Sequence, residues 1–149
     1  MITQSPSSSV AERSVQRSVR LSATTVSLLD AMADQSRESR NSIVERLLAE
    51  GLRTERHPLI RFAAGASGVR EPTIVGTRLK VRQLIAQVRA EGGDVAAVAD
   101  YLAIDPGLVR AAVSYYADFG AEVEADIVWA ERSEVEEYER WRREQALLA

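Results

Sequence analysis

Residues 14–21, Ser14-Val15-Gln16-Arg17-Ser18-Val19-Arg20-Leu21, alternate with period two, and the chain offers this strand no nearby partner. Val15, Val19 and Leu21 fall on one face, Gln16, Ser18 and Arg20 on the other, and Arg17 interrupts the apolar side. Such alternation predicts a strand. Ser22 then stands as an N-cap, followed at helical spacing by Val26, Leu29, Met32 and Ala33, a pattern that fades at Gln35-Ser36. Ser39 caps a second helix carrying Ile43, Val44, Leu47, Leu48 and Leu52 on one stripe, with Gly51 near its end. Of these, Leu29, Ile43, Leu47 and Leu48 are the expected core. A lone strand and two short helices bury too little apolar surface to stand by themselves. The economical solution is a dimer in which two copies of the strand pair antiparallel across a two-fold axis.

Composition narrows what else the chain can do. Without cysteine it has neither a disulfide framework nor a thiolate metal site. His57 is its only histidine, which excludes a multi-histidine metal site and leaves any Ser-His-Asp arrangement dependent on one residue beside a proline. No stretch approaches the ~20 apolar residues of a membrane span, and the opening MITQSPSSSVAER lacks the basic start and apolar run of a secretory signal. A cytoplasmic protein without membrane contact is expected. Net charge is -3, but unevenly spread. Residues 1–56 hold eight Arg against seven acids, whereas residues 121–149 hold four Arg against nine acids, which suggests a different partner for each end.

Ser-rich residues 1–13 read as a disordered arm. His57-Pro58 marks an expected domain boundary. Beyond it the chain is rich in glycine, and the short apolar pieces Ile60-Arg61-Phe62 and Thr73-Ile74-Val75 suggest small strands or a hairpin, with Thr77 and Arg78 as a turn and its support. A helix follows over 81–91 with Leu84, Ile85 and Val88, ended by Gly92-Gly93. Asp94 caps a segment over 95–102, and Ala103-Ile104-Asp105-Pro106 turns the chain into another over 107–119 holding Val109, Val113 and Tyr116. Two short helices joined by a tight turn are helix-turn-helix-like. From residue 121 the pattern is helical and strongly charged, with Trp129, Val135, Tyr138, Trp141 and Leu148 interspersed. The expected fold is mainly α: a strand-helix-helix unit over 14–56, a small α domain with a hairpin over 57–120, and an acidic helical tail over 121–149.

The run SVRLSATTVSLLDAMADQSRESRNSIVERLLAEGL, residues 18–52, resembles the ribbon-helix-helix family of bacterial repressors and antitoxins. The resemblance implies a homodimer whose two-stranded ribbon enters the major groove of double-stranded operator DNA. There each base pair shows a distinct pattern of donors and acceptors. The polar strand face, Gln16, Ser18 and Arg20, would read bases, since arginine pairs with guanine and glutamine with adenine. The start of the second helix, at Ser39, Arg40 and Asn41, would meet a phosphate with its free N–H groups and positive dipole end. Arg17 departs from the apolar residue usual in the family. Either it lies at the ribbon margin against phosphate, or the register is off by one residue, which would exchange the two faces.

From His57 onward the chain is similar to family 433 of the domains of unknown function, through His57-Pro58-Leu59-Ile60, Pro72-Thr73-Ile74-Val75-Gly76-Thr77-Arg78-Leu79, Asp94-Val95 and Val109-Arg110-Ala111-Ala112-Val113-Ser114-Tyr115-Tyr116. This resemblance covers residues 57–127 and implies a VapB-like antitoxin of a type II toxin-antitoxin pair, with a PIN-type ribonuclease toxin as partner. A second DNA-reading surface here is disfavoured, because the 107–120 helix offers Arg110 and Ser114 but also Asp118.

In the tail, Trp129, Tyr138 and Trp141 are aromatic anchors of the sort that interfaces use. An amphipathic helix laid in a partner's groove is a common recognition mode. A PIN-type toxin resembles a nuclease that gathers Mg²⁺ with acidic side chains. Arg142 or Arg143 delivered to that cluster would compete with the metal. The chain carries no nucleophile-base pair and no ligand set of its own, so neither an enzyme nor a cofactor is expected. The runner-up is a free-standing regulator whose C-terminal part assembles oligomers or senses a small ligand.

Overall fold

The structure is a computed structural model that describes residues 13–65 and 68–148. The arm expected over 1–13 lies outside the described residues except for Arg13. The described part is mainly helical, with five helices and one two-stranded antiparallel sheet. The chain divides into two compact units, Met1–Val44 and Glu45–Ala149.

In the first unit, residues 13–22 are exposed and carry no strand pairing. Helix α1, Ala23–Gln35, starts where Ser22 places its Oγ to accept from the Thr25 N–H at 3.2 Å, and Ser36 closes it. Helix α2, Arg40–Arg56, starts the same way: Ser39 Oγ accepts from the Ser42 N–H at 3.1 Å. Both caps are those the sequence predicts. Each replaces a missing intrahelical partner and contributes about 1 kcal/mol.

The second unit is built on a hairpin, β1 Ile60–Ala64 and β2 Arg70–Ile74, in register Ile60↔Ile74 and Phe62↔Pro72. Thr77 closes the next turn: its hydroxyl donates to the Ile74 carbonyl at 3.0 Å and accepts from the Leu79 N–H at 3.0 Å. Gly76 sits there at φ +75°, a conformation that side chains resist. Helix α3, Val81–Ala90, follows, and Gly93 at φ +87° returns its N–H to the Val88 carbonyl. Asp94 caps α4, Val95–Leu102, by accepting from the Ala97 N–H at 3.0 Å. Asp105 accepts from the Gly107 N–H at 2.6 Å, and Pro106 occupies the first position of α5, Pro106–Leu148, where a missing N–H costs nothing. Helices α3 and α4 pack on α5. Their apolar stripes meet the hairpin in one core of Ile60, Ile74, Leu84, Val98, Val109 and Tyr115 with their neighbours.

Three expectations are corrected. The boundary at His57-Pro58 is not a linker: His57 is 8% exposed, with ring edges against Tyr115 and Phe119. The end of α2 belongs to the second unit because Arg53 and Arg56 pair with α5. Residues 121–149 are not a separate tail. The helices expected on either side of Gly120 are both present, joined across a kink where Phe119 leaves helical geometry (φ -128°, ψ 33°), but the second begins inside the body: Val123 is wholly buried in the core. Finally, Leu47 and Leu48, expected in the core, are 43% and 55% exposed.

Candidate nucleic-acid interface and C-terminal arm

The polar residues assigned to base reading, Gln16, Ser18 and Arg20, are exposed, as is Arg17. So are the apolar residues between them: Val15, Val19 and Leu21. The same holds along α1, which buries no residue and exposes Val26, Leu28 and Met32. In α2, Ile43 alone is buried. Six large apolar side chains within 18 residues face water in the single chain, more than scattered surface residues explain.

Ser39, Arg40 and Asn41 lie exposed at the start of α2, as expected. Arg40, however, is already engaged. Its Nε donates to Asp30 Oδ1 at 2.5 Å, with Asp34 at 3.9 Å. The hydrogen bond to Asp30 holds the guanidinium pKa above its ordinary value. Two carboxylates from α1 thus occupy the charge that the sequence assigns to phosphate.

In the second unit, α5 holds the end of α2 through Asp118 and Glu122. Arg56 donates to both oxygens of Asp118 at 2.6 and 3.3 Å, and His57 Nε2 lies 2.8 Å from the same carboxylate. Arg56 first, then His57, hold the Asp118 pKa below the usual carboxylate range. Arg53 pairs with Glu122 at 2.5 Å while its guanidinium lies 4.7 Å over the Phe119 ring. Beneath them Tyr115 is fully buried, and its hydroxyl has no hydrogen-bond partner among the described residues. Burial pushes its pKa up to about 12, against the opposing charge of Arg53. This anchor was not foreseen; its one sequence signal is Asp118, the single acid in the 107–120 stretch.

Further along α5, Arg89, Tyr116 and Glu124 form a closed network in which the tyrosine hydroxyl donates to the carboxylate at 2.5 Å. Glu71, only 3% exposed, receives Arg82 at 2.7 Å. Arg78, Lys80 and Arg82 line a groove of about 250 Å³ together with Trp129, Glu134 and Glu137. No group of three or more metal-ligating side chains occurs among the described residues, and no helix is long and apolar enough to cross a membrane.

Along this groove, from Glu134 on, α5 becomes an exposed arm. Every residue over 134–148 is exposed. Tyr138 and Trp141, 60% and 53% exposed, stack on each other at 5.9 Å between ring centroids. Arg142 and Arg143 stand on the same arm with their side chains in solvent. Of the expected tail anchors, Trp129 is the exception: at 38% exposure it lies beside the body of the unit. The structure therefore brings Tyr138, Trp141, Arg142 and Arg143 together and leaves Trp129 at the base. No family model, curated protein or solved structure matches the chain.

Proposed function

We propose that the chain is a non-catalytic, homodimeric operator-binding protein of the ribbon-helix-helix class, acting in the cytoplasm as the antitoxin of a type II pair. The observation that carries this reading is the apolar surface of the N-terminal unit. Val15, Val19 and Leu21 alternate with Gln16, Ser18 and Arg20, and they are 76%, 71% and 47% exposed beside an α1 that buries nothing. A second copy pairing through the strand covers the apolar side and turns the polar side outward as a ribbon that fits the major groove. The caps at Ser22 and Ser39 support the same arrangement, since they start both helices where the resemblance requires. Toxin binding falls to the arm, where aromatic and arginine side chains stand free of the body.

DNA binding is tested by titrating the full chain with a pseudo-palindromic upstream fragment at several salt concentrations. The expected result is a dimer whose affinity falls steeply with salt, by about 0.9 log units per phosphate neutralised per log unit of salt. Arg20→Ala should relax sequence preference. Loss of preference from Arg17→Ala with Arg20→Ala silent would assign base reading to the other strand face. Toxin binding is tested by co-expression with the neighbouring gene's product, using the full chain and a chain ending at Ser133. Co-purification that vanishes with the arm supports the antitoxin. Its absence from both leaves a free-standing repressor.

A further inference from the structure

The groove beside Trp129 carries charges that the fold does not use. Glu71 of the hairpin, Arg78 and Lys80 of the segment entering α3, and Trp129, Glu134 and Glu137 of α5 line it. Trp129, Ser133 and Glu137 recur every four residues, so one face of α5 supplies its share. One further cation, Arg82, is taken up inside the fold, where its Nε donates to Glu71 Oε1 at 2.7 Å. The others are not. Arg78, Glu134 and Glu137 make no hydrogen bond or ion pair among the described residues, and Lys80 Nζ donates only to the Thr73 hydroxyl, at 3.2 Å.

Glu71 adds an open acceptor. Its side chain is 4% exposed, yet Oε2 has no hydrogen-bond partner among the described residues. That oxygen lies 3.4 Å from where a Cβ on Gly65 would stand, and Gly65 lines the same groove. Buried polar atoms in folded proteins are nearly always paired. A solvated surface accounts for the exposed charges, but not for a buried acceptor left open beside an indole.

The groove therefore offers two free cations, two free acids, a buried acceptor and an aromatic side chain. At about 250 Å³ it falls below the range of about 300–1,000 Å³ that drug-sized ligands occupy, which leaves room for one small molecule. A dicarboxylate would leave the acids unmet, and a diamine would leave the cations unmet. A peptide end carries only one of the two charges. We infer that the groove binds a free α-amino acid with an aromatic or apolar side chain. Its carboxylate accepts from Arg78 and Lys80. Its ammonium has three donors for Glu71 Oε2, Glu134 and Glu137. Its side chain packs on Trp129. The inference stands apart from DNA and toxin binding, and it places the ligand at the root of the arm.

Trp129 and Trp141 are the two tryptophans, so the full chain carrying Trp141→Phe reports on the groove alone. L-phenylalanine and L-leucine are titrated at millimolar concentration by Trp129 fluorescence and, on the unaltered chain, by calorimetry. N-acetyl-L-phenylalanine and L-phenylalanine amide, each lacking one charge, are titrated beside them. At least one free amino acid should bind saturably, and each capped form should bind L-phenylalanine's site about tenfold more weakly or worse. Arg78→Ala should weaken L-phenylalanine by a similar factor and leave the amide, which has no carboxylate, unchanged. Glu134→Gln with Glu137→Gln should weaken L-phenylalanine and leave the N-acetyl form, which has no ammonium, unchanged. These positions are exposed, so the variants leave the folded body intact. No saturable signal from either amino acid would overturn the inference. Capped forms that bind as well as the free amino acid would also overturn it, in favour of a peptide end. Binding that ignores both sets of variants would do the same by placing the ligand elsewhere.

Discussion

Arg40 at the start of α2 donates to Asp30 of α1 at 2.5 Å, so the cation nearest the expected phosphate site is already held by its own chain. Removing the acid should therefore strengthen DNA binding. Asp30→Asn should raise affinity for operator and unrelated DNA alike and steepen the salt slope by about 0.9. Fluorescence anisotropy over a salt series reads both quantities. An unchanged slope would show that the freed guanidinium does not reach the backbone.

Asp118 and Asp126 should affect stability in opposite directions as pH changes. The pKa of Asp118 is held low by Arg56 and His57. Its contribution is thus present above the ordinary carboxylate range and is lost as pH falls through the lowered folded value. Asp126 is raised, first by burial and then by Glu71 and Glu122. Its ionisation opposes folding once pH rises above the ordinary carboxylate range. Asp126→Asn should raise the Tm at pH 7 and change little at pH 3.5, whereas Asp118→Asn should lower it at pH 7 and flatten the acid limb. Thermal melts across pH 3–8 separate the two.

Tyr115 fills the centre of the second unit, and its hydroxyl finds no hydrogen-bond partner among the described residues. A buried unpaired polar group costs ~1–3 kcal/mol, so Tyr115→Phe should be neutral or stabilise by about 1 kcal/mol. Tyr115→Ala opens a cavity and should cost ~3–5 kcal/mol. Urea unfolding measures both, and a clear loss in the Phe variant would mean that the hydroxyl has a partner in solution.

Ending the chain at Ser133 should leave the melting temperature of the second unit unchanged, since every residue over 134–148 is exposed. Ending it at Gly120 removes buried Val123 and Ala130 and should unfold that unit. Circular dichroism melts of the two truncations distinguish an arm from a structural helix.

Local signals carried the element boundaries. Ser22, Ser39 and Asp94 are caps because their short side chains accept from the first-turn N–H groups, which is visible in sequence. The division between units was not visible. It depends on Arg53, Arg56 and His57 meeting Asp118 and Glu122, 61 or more residues away, and no periodicity encodes a pairing at that distance. The break expected at Gly120 falls one residue away, at the kink of Phe119; what the sequence did not show is that Val123, past the kink, is buried in the same core. Leu47 and Leu48 were placed in the core because a stripe shows that a face is apolar, not which molecule covers it. The aromatics of the arm stood out in a polar stretch, and Tyr138 and Trp141 are exposed in the structure.

Beyond Glu137 the arm packs against nothing among the described residues of its own molecule. A change at Tyr138 or Arg142 disturbs no packed neighbour, so it can alter whom the protein meets without altering whether it folds. Related chains should therefore be free to drift in this stretch while the body stays fixed, and the differences that accumulate there would form a record of changing partners.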